Sequence, residues 1–210
     1  MAGFDYDIGI IGGGAAGLTV AAGAARLGAR TLLVEKEKDL GGDCLHFGCV
    51  PSKTLIKSAK VYHLMKHGER FGLPPVAVPP VDFRQIRSRI RSVIETIQKH
   101  DSEERFCGLG ARVEFGTPEF SDDHTIRLAG RPISAKNWVI ATGSSAAVPA
   151  IKGIAHTPFI TNREIFYMDR LPASMIILGA GPIGTEMSQA FVRLGTQVTE
   201  VDMGHQILPK

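Results

Sequence analysis

The sequence contains few cysteines, few aromatic residues and almost no excess of one charge. Three cysteines in 210 residues are too few for a small secreted domain held together by disulfides. A net charge of +3 is too small to indicate nucleic acid or a membrane surface as the partner. The N-terminal residues, MAGFDYDIGII, lack the basic segment of a secretory signal, and we therefore expect a cytoplasmic protein.

One apolar stretch, residues 8–25, is long enough to suggest a membrane helix. Gly13 and Gly17 within it match the small-xxx-small spacing of such helices. The many glycines of this stretch fit a strand, a turn and a helix start better. We therefore expect no membrane-spanning segment there.

Glycine, in contrast, is abundant, with 24 residues and clusters at 12–14, 41–42 and 179–184. Two of these clusters belong to an internal repeat, in which residues 8–35 align with residues 175–202 at a constant offset of 167 positions. Each copy contains an apolar run, the pattern G-x-G-x-x-G, a helix-like stretch, a second apolar run and an acid. That order predicts a dinucleotide-binding βαβ unit in each copy.

The spacing of the glycines and the acid has a physical reason. The first glycine makes a tight turn, the second lets a pyrophosphate approach the backbone, and the third lets the helix pack on the strand. The helix N-terminus supplies N–H groups for the phosphates, and the acid accepts the ribose hydroxyls. Two such sites suggest electron transfer between NAD(P)H and FAD; the alternative is a duplicated fold with one inactive copy. The predicted contacts are Gly12, Gly14, Gly17 and Glu35 in the first copy and Gly179, Gly181, Gly184 and Asp202 in the second.

A pair of cysteines follows the first copy, in the segment GGDCLHFGCVPSK at residues 41–53. On an ideal helix, residues five apart have α-carbons about 8–9 Å apart, beyond the roughly 7 Å that a disulfide tolerates. If Cys44 and Cys49 bond, the backbone between them is bent. Thiols near a helix N-terminus have depressed pKa values, which favours the reactive thiolate.

Two other interpretations of the pair stay open besides a redox disulfide. The cysteines could be unpaired core residues, or they could form a zinc site with His46, although such a site lacks a fourth ligand at a familiar spacing.

This segment resembles the redox-active stretch of the pyridine nucleotide-disulfide oxidoreductases, such as dihydrolipoamide dehydrogenase, glutathione reductase and mercuric reductase. Their pattern is G-G-x-C-x-x-x-G-C-x-P-S-K after an N-terminal FAD unit. A third match is the apolar run from Trp138 to Gly143, which is similar to the family's second flavin-side motif. His46 and Phe47 depart from the pattern, because family members often have Asn and then Val or Thr there.

The resemblance implies a role for each residue of the redox segment. Cys49 would lie against the isoalloxazine, and Cys44 would be the outer thiol that attacks the substrate. Lys53 would sit beside the flavin and pair with Glu186, the alternative being a solvated lysine. Cys107 has no partner in any motif and is expected to be structural, and no metal site is expected. The remaining implied cofactor contacts are Gly42, Asp43, Lys53, Gly116, Thr142 and Gly143.

The predicted fold is α/β. Residues 1–150 would form a Rossmann-like, three-layer FAD-binding domain with a small antiparallel insert of short strands at 111–140. Residues 151–210 would form the first βαβ unit of a second, NAD(P)-binding domain. The apolar periodicity of residues 82–106 predicts one long amphipathic helix, whose arginines form a solvated face rather than a nucleic-acid site.

The resulting functional hypothesis is a flavoprotein that passes electrons from NAD(P)H through FAD to Cys44–Cys49, and then to a disulfide, dithiol or metal-ion substrate. NADH is favoured over NADPH because Asp202 would repel a 2′-phosphate and no arginine follows it. Family members extend well beyond this length, so a fragment is expected. The full-length parent protein is expected to form a homodimer, as family members do. The alternatives are a non-catalytic FAD-binding fragment and a flavin oxidase or monooxygenase.

Overall fold

The computed structural model describes residues 3–208. These residues form two compact units, one made of residues 3–49 and 94–158 and the other of residues 50–93 and 159–208. The proposed division into ligand-binding domains at 1–150 and 151–210 stays a prediction. Within the described range, no helix is both long and apolar enough to cross a membrane.

The first unit is built on a six-stranded sheet. Its strands are β1 (Tyr6–Ile11), β2 (Thr31–Glu35), β3 (Ala111–Phe115), β4 (Glu119–Phe120), β5 (Thr125–Leu128) and β6 (Arg131–Ile140). Their order across the sheet is β3-β2-β1-β6-β5-β4. Parallel pairing joins β3, β2, β1 and the second half of β6, whereas β4, β5 and the first half of β6 pair antiparallel. The antiparallel insert therefore begins after β3, and not at residue 111.

The core of this unit lies on both faces of the sheet, because successive side chains of a strand point to opposite faces. Ile10 and Leu33 pack on one face with Phe106, while Ile11 and Leu32 pack on the other. All five residues of β2 are buried, as expected for a central parallel strand covered on both faces. The predicted α/β class with a Rossmann-like sheet is confirmed.

The helices are α1 (Ala15–Arg26), α2 (Gly42–His46), α3 (Cys49–Lys66), α4 (Phe83–Gln98), α5 (Glu103–Gly108) and α6 (Pro182–Leu194). The single helix predicted over 82–106 is wrong, since residues 99–102 separate α4 from α5. Ser102 starts the new helix, because its side chain accepts the N–H of Arg105 at 3.3 Å. Its hydroxyl thus satisfies a backbone donor that a continuous helix would have paired internally.

The second unit contains the repeated βαβ segment. The parallel strands β7 (Ser174–Leu178) and β8 (Gln197–Val201) flank α6. The register of the first copy, in which Ile8 pairs with Thr31, recurs as Met175 with Val198 at the predicted offset. The duplication seen in the sequence is therefore a duplication of structure.

Candidate functional site

The first glycine loop connects β1 to α1, and its outer two glycines are required by the fold. Gly12 has φ +108°, and a Cβ there would overlap the carbonyl oxygen of Ala141. A Cβ on Gly17 would overlap the carbonyl oxygen of Gly12. The loop is fixed by a hydrogen bond from Gly12 N–H to the Val34 carbonyl at 2.8 Å.

The middle glycine, Gly14, is different, because neither its backbone conformation nor a close contact requires glycine there. Gly14 has φ −86°, which any residue adopts, and a Cβ there would meet only the α-carbon of Gly42 at an ordinary 3.6 Å. Gly14 is also the N-cap of α1 and has no side chain to pair with the first-turn N–H groups. The open space and the available donors fit a bound pyrophosphate.

The second glycine loop repeats this arrangement. Gly179 has φ +101° and donates to the Val201 carbonyl at 2.8 Å. A Cβ on Gly184 would overlap the carbonyl oxygen of Gly179, whereas one on Gly181 would meet nothing within 4 Å. Both copies thus have two glycines fixed by the fold and one that leaves room for a ligand.

The two acids are bound to the glycine loops through backbone hydrogen bonds. Glu35 is 7% exposed and accepts the N–H of Gly13 at 2.6 Å and of Glu37 at 2.9 Å. Asp202 accepts the N–H of Ala180 and of Gly204, each at 2.7 Å. These backbone hydrogen bonds lower the pKa of Asp202, so its carboxyl group is ionised at neutral pH. Sequence reasoning missed this second role of the acids; their contacts with ribose stay predictions.

The start of the redox segment lies directly on the first glycine loop. Gly41 N–H donates to the Gly13 carbonyl at 2.8 Å. Gly42 has φ +58°, and a Cβ there would approach the α-carbon of Gly14 to 2.7 Å. The chain therefore needs glycine at this contact. The contact holds the backbone two residues before Cys44 against the predicted pyrophosphate loop.

The backbone between the two cysteines is bent, as expected. Helix α2 ends at His46, and α3 begins at Cys49. A Cβ on Gly48 would lie 2.9 Å from the Asp43 carbonyl oxygen and 3.3 Å from the α-carbon of Cys44, so glycine allows the turn to fold back on α2. The cysteines are present as thiols, with Cys44 half-buried and Cys49 exposed, and the Cys44 and Cys49 side chains are hydrogen-bonded.

The pKa of the outer thiol, Cys44, differs from the value expected from the sequence. Burial raises the pKa of Cys44, and the hydrogen bond with Cys49 and the charge of Asp101 raise it further. Cys44 is the third residue of a five-residue helix, too short to provide a strong N-terminal dipole. The depressed pKa expected for thiols near a helix N-terminus therefore does not apply to Cys44. Among residues 3–208, no cluster of three His, Cys, Asp or Glu side chains is arranged to hold a metal ion.

Lys53 and Glu186 form a salt bridge between Nζ and Oε2, within the second unit. Their side chains are 60% and 42% exposed, respectively. The pairing expected from the resemblance is present, and the Lys53 side chain is at the same time largely exposed to solvent. The role of the pair in flavin chemistry stays a prediction.

The family described as pyridine nucleotide-disulphide oxidoreductase matches residues 6–210. The chain belongs to this family. Dihydrolipoyl dehydrogenase of Acholeplasma laidlawii is 35% identical over 98% of the chain and 62% of its own length. Mercuric reductase of Bacillus cereus is 30% identical over 98% of the chain and 32% of its own length.

A solved structure of a flavoprotein disulfide reductase shows the same fold. A Cu(II) complex of the HOCl-induced flavoprotein disulfide reductase RclA from Escherichia coli aligns with a TM-score of 0.80 and 29% identity, over 96% of this chain and 43% of that one. The resemblance stated from the sequence is confirmed. The chain spans less than two thirds of the length of each of these relatives.

The other residues that the family pattern suggests lie around the first glycine loop. Ala141 N–H donates to the Ile11 carbonyl at 2.8 Å, so the exposed residues Thr142 and Gly143 continue from the end of β6. Gly116 donates to the Glu35 carbonyl at 2.8 Å and has φ +145°, with Leu128 Cδ1 at 2.9 Å from an added Cβ. The fold therefore accounts for glycine at 116 without a ligand, whereas Thr142 and Gly143 stay predicted FAD contacts.

Replacing Lys53 with methionine should slow flavin reduction by NADH on the order of tenfold, which corresponds to about 1.4 kcal/mol. The free energy of unfolding should fall by only about 0.2–1 kcal/mol, because exposed ion pairs contribute little. Stopped-flow flavin absorbance and FAD affinity would be measured in the same preparation. The matched control is Lys57→Met, an exposed lysine one turn further along α3. Equal slowing in both variants would contradict a specific role for Lys53.

Proposed function

We propose that this chain is the FAD-binding and redox-active part of a flavoprotein disulfide oxidoreductase. Electrons would pass from NAD(P)H through FAD to the Cys44–Cys49 pair, and then to a disulfide, dithiol or metal-ion substrate. The observation that carries this proposal is the contact of the redox segment with the first glycine loop, through Gly41 and Gly42. A cofactor bound at that loop and the cysteine pair would belong to one continuous site.

The residues of the first unit would hold FAD and orient it. The N–H groups at the start of α1 would bind the pyrophosphate, and Glu35 would bind the ribose with the carboxylate lone pairs that its backbone hydrogen bonds leave available. When bound, FAD supplies the capacity to take a hydride and to pass an electron pair on. Lys53 adds a positive charge one turn of α3 after Cys49.

The cysteines would perform thiol–disulfide exchange. Cys44 Sγ attacks one sulfur of a substrate disulfide, forms a mixed disulfide and releases the first substrate thiol. Cys49 Sγ then attacks Cys44 Sγ, which releases the second thiol and restores the Cys44–Cys49 disulfide. Two electrons have passed to the substrate, and each leaving sulfur has gained one proton.

The substrate and the assembly are further parts of the proposal. The names of the relatives, dihydrolipoyl dehydrogenase and mercuric reductase, suggest a dithiol or a mercuric ion as substrate classes. A small molecule or a protein could carry the reacting sulfurs. Homodimerisation and a cytoplasmic location stay predictions.

A non-catalytic FAD-binding fragment is a second candidate, because the chain spans only 32–62% of the relatives' lengths. Dithiothreitol distinguishes the two, since it reduces a disulfide beside bound flavin and thereby changes the flavin absorbance. The change should be present in the FAD-loaded chain and absent from Cys49→Ser. An unchanged spectrum in the native chain would favour the fragment without redox function, or an oxidase-type flavin site.

Asp202 is expected to set the preference of the parent protein for NADH. A 2′-phosphate close to this ionised carboxylate would cost on the order of 1–4 kcal/mol, whereas a 2′-hydroxyl can donate a hydrogen bond to it. The ratio of kcat/KM for NADH to that for NADPH should exceed about tenfold and should fall in Asp202→Ala. A parent protein that favours NADPH tenfold would show that this interpretation of Asp202 is wrong.

A further inference from the structure

The carbonyl of Leu40, just before the redox segment, is hydrogen-bonded to two side chains. Gln98 Nε2, at the end of α4, donates to it at 3.0 Å, and His46 Nε2, at the end of α2, lies 3.0 Å from it. Since a carbonyl only accepts hydrogen bonds, His46 Nε2 carries a hydrogen there. Leu40 is 1% exposed, so its carbonyl depends on protein donors rather than on water. All of these groups belong to the first unit.

The bond from His46 encloses the helix that carries the outer thiol. It joins the last residue of α2 to the residue that precedes its N-cap, Gly41, and Cys44 lies in the middle of that span. The N-cap itself is held from the other side, because Gly41 N–H donates to the Gly13 carbonyl at 2.8 Å. Helix α2 is therefore fixed at both ends, with Cys44 between them.

The Gln98 side chain has one well-paired end and one unpaired end. Its Nε2 also donates to the Asp101 carbonyl at 3.0 Å, which joins the turn between α4 and α5 to the same point. Turning the amide round would place Oε1 against two carbonyl oxygens, so its orientation is fixed. Oε1 is then buried without a hydrogen-bond partner among the described residues, which costs free energy. Glutamine at this position is therefore better explained by the two bonds of Nε2 than by stability alone.

The bend between the cysteines is already present in the dithiol form. Cys44 and Cys49 are thiols whose side chains are hydrogen-bonded. A disulfide requires α-carbons within roughly 7 Å of each other, so the backbone must be bent before the bond can form. Holding α2 in that arrangement beforehand removes part of the entropy that bond formation would otherwise cost. Groups that hold α2 in the dithiol form thereby favour the disulfide.

We propose that His46 and Gln98 are positioning residues for the cysteine pair. They act through one acceptor, the Leu40 carbonyl, and favour the disulfide over the dithiol. With oxidised glutathione, one cysteine thiolate attacks a glutathione sulfur and releases one reduced glutathione, and the other cysteine then attacks the mixed disulfide and releases the second. Two electrons and two protons pass to glutathione, and the equilibrium constant of this exchange reports how well the pair is positioned. The inference rests on the proposed redox role of the pair.

The test measures this constant in the full chain carrying Cys107→Ser, by acid quenching and thiol alkylation across glutathione buffers of graded ratio. His46→Phe and Gln98→Met each remove one donor at nearly constant size and should lower the constant about two- to threefold. The double variant leaves the Leu40 carbonyl without either donor. It should therefore lower the constant by more than the product of the single effects, at least about 20-fold. His46→Gln, which keeps an amide donor, should stay within about twofold of the parent.

The matched control is His156→Phe with Gln85→Met, the same two substitutions at exposed positions, which should stay within about twofold. Fluorescence of the single tryptophan, Trp138, reports whether the first unit is folded in each variant. Where the double variant does not fold, the comparison of His46→Phe with His46→Gln decides.

Three outcomes would overturn the inference: an unchanged constant in the double variant, an equal fall in the control, or a fall in His46→Gln as large as in His46→Phe. The parent chain separates these outcomes from a failure of the proposed function. If it forms no disulfide at any glutathione ratio, the proposed function is overturned, and the inference with it. If it forms the disulfide, each of the three outcomes overturns the inference alone.

Discussion

Gly14→Leu is expected to prevent the chain from retaining FAD while the first unit stays folded. A leucine side chain would occupy the space above the N-terminus of α1, and its Cβ would meet only the α-carbon of Gly42, at an ordinary 3.6 Å. Forcing a pyrophosphate against it should cost about 1–3 kcal/mol or more, so FAD should bind at least roughly 10- to 100-fold more weakly. Flavin content after gel filtration, and FAD titration of the apo form, would measure the loss.

The repeat supplies the matched control. Gly181→Leu places the same side chain at the equivalent position of the second copy and should leave FAD binding unchanged. Gly17→Ala should instead lower the free energy of unfolding with or without FAD, because its Cβ would overlap the Gly12 carbonyl. Normal flavin content in Gly14→Leu would contradict the assignment of the first loop to FAD.

Replacing either cysteine of the pair is expected to halve the number of electrons that the FAD-loaded chain accepts. Flavin and a disulfide each take two electrons, so the native chain should accept four per flavin in an anaerobic dithionite titration. Cys44→Ser and Cys49→Ser should accept two, and Cys107→Ser should still accept four. Reduction of a small disulfide by the reduced chain should fall to the rate of free flavin in the first two variants.

A thiol count on the oxidised, denatured chain gives an independent check. One reactive thiol is expected, from Cys107, against three if no disulfide forms. A count of three, together with two-electron uptake in the native chain and in every variant, would show that Cys44 and Cys49 are not a redox pair.

The βαβ repeat could be predicted because its determinants are local. Gly12 and Gly179 have positive φ. A Cβ on Gly17 or Gly184 would overlap a backbone oxygen only five residues away, so glycine is required there too. Such requirements leave a fixed spacing in the sequence. The bend between Cys44 and Cys49 could be predicted for the same reason, since helix geometry and disulfide reach set it together.

Other features depend on distant contacts that leave no such pattern. The apolar periodicity of residues 82–106 continues across the helix break. The break is accompanied by hydrogen bonds that Gln98 Nε2 donates to the Leu40 carbonyl and that Arg105 N–H donates to Ser102 Oγ. The alternation of buried Ala111 and Val113 in β3 likewise does not reveal whether its partner runs parallel or antiparallel.

The contact of Gly41 and Gly42 with the first glycine loop has a thermodynamic consequence. A ligand that orders this loop also restricts the backbone leading to Cys44, so binding at one and the oxidation state of the other are linked. Linkage is reciprocal: the factor by which a bound dinucleotide shifts the dithiol–disulfide equilibrium is the factor by which oxidation shifts its affinity.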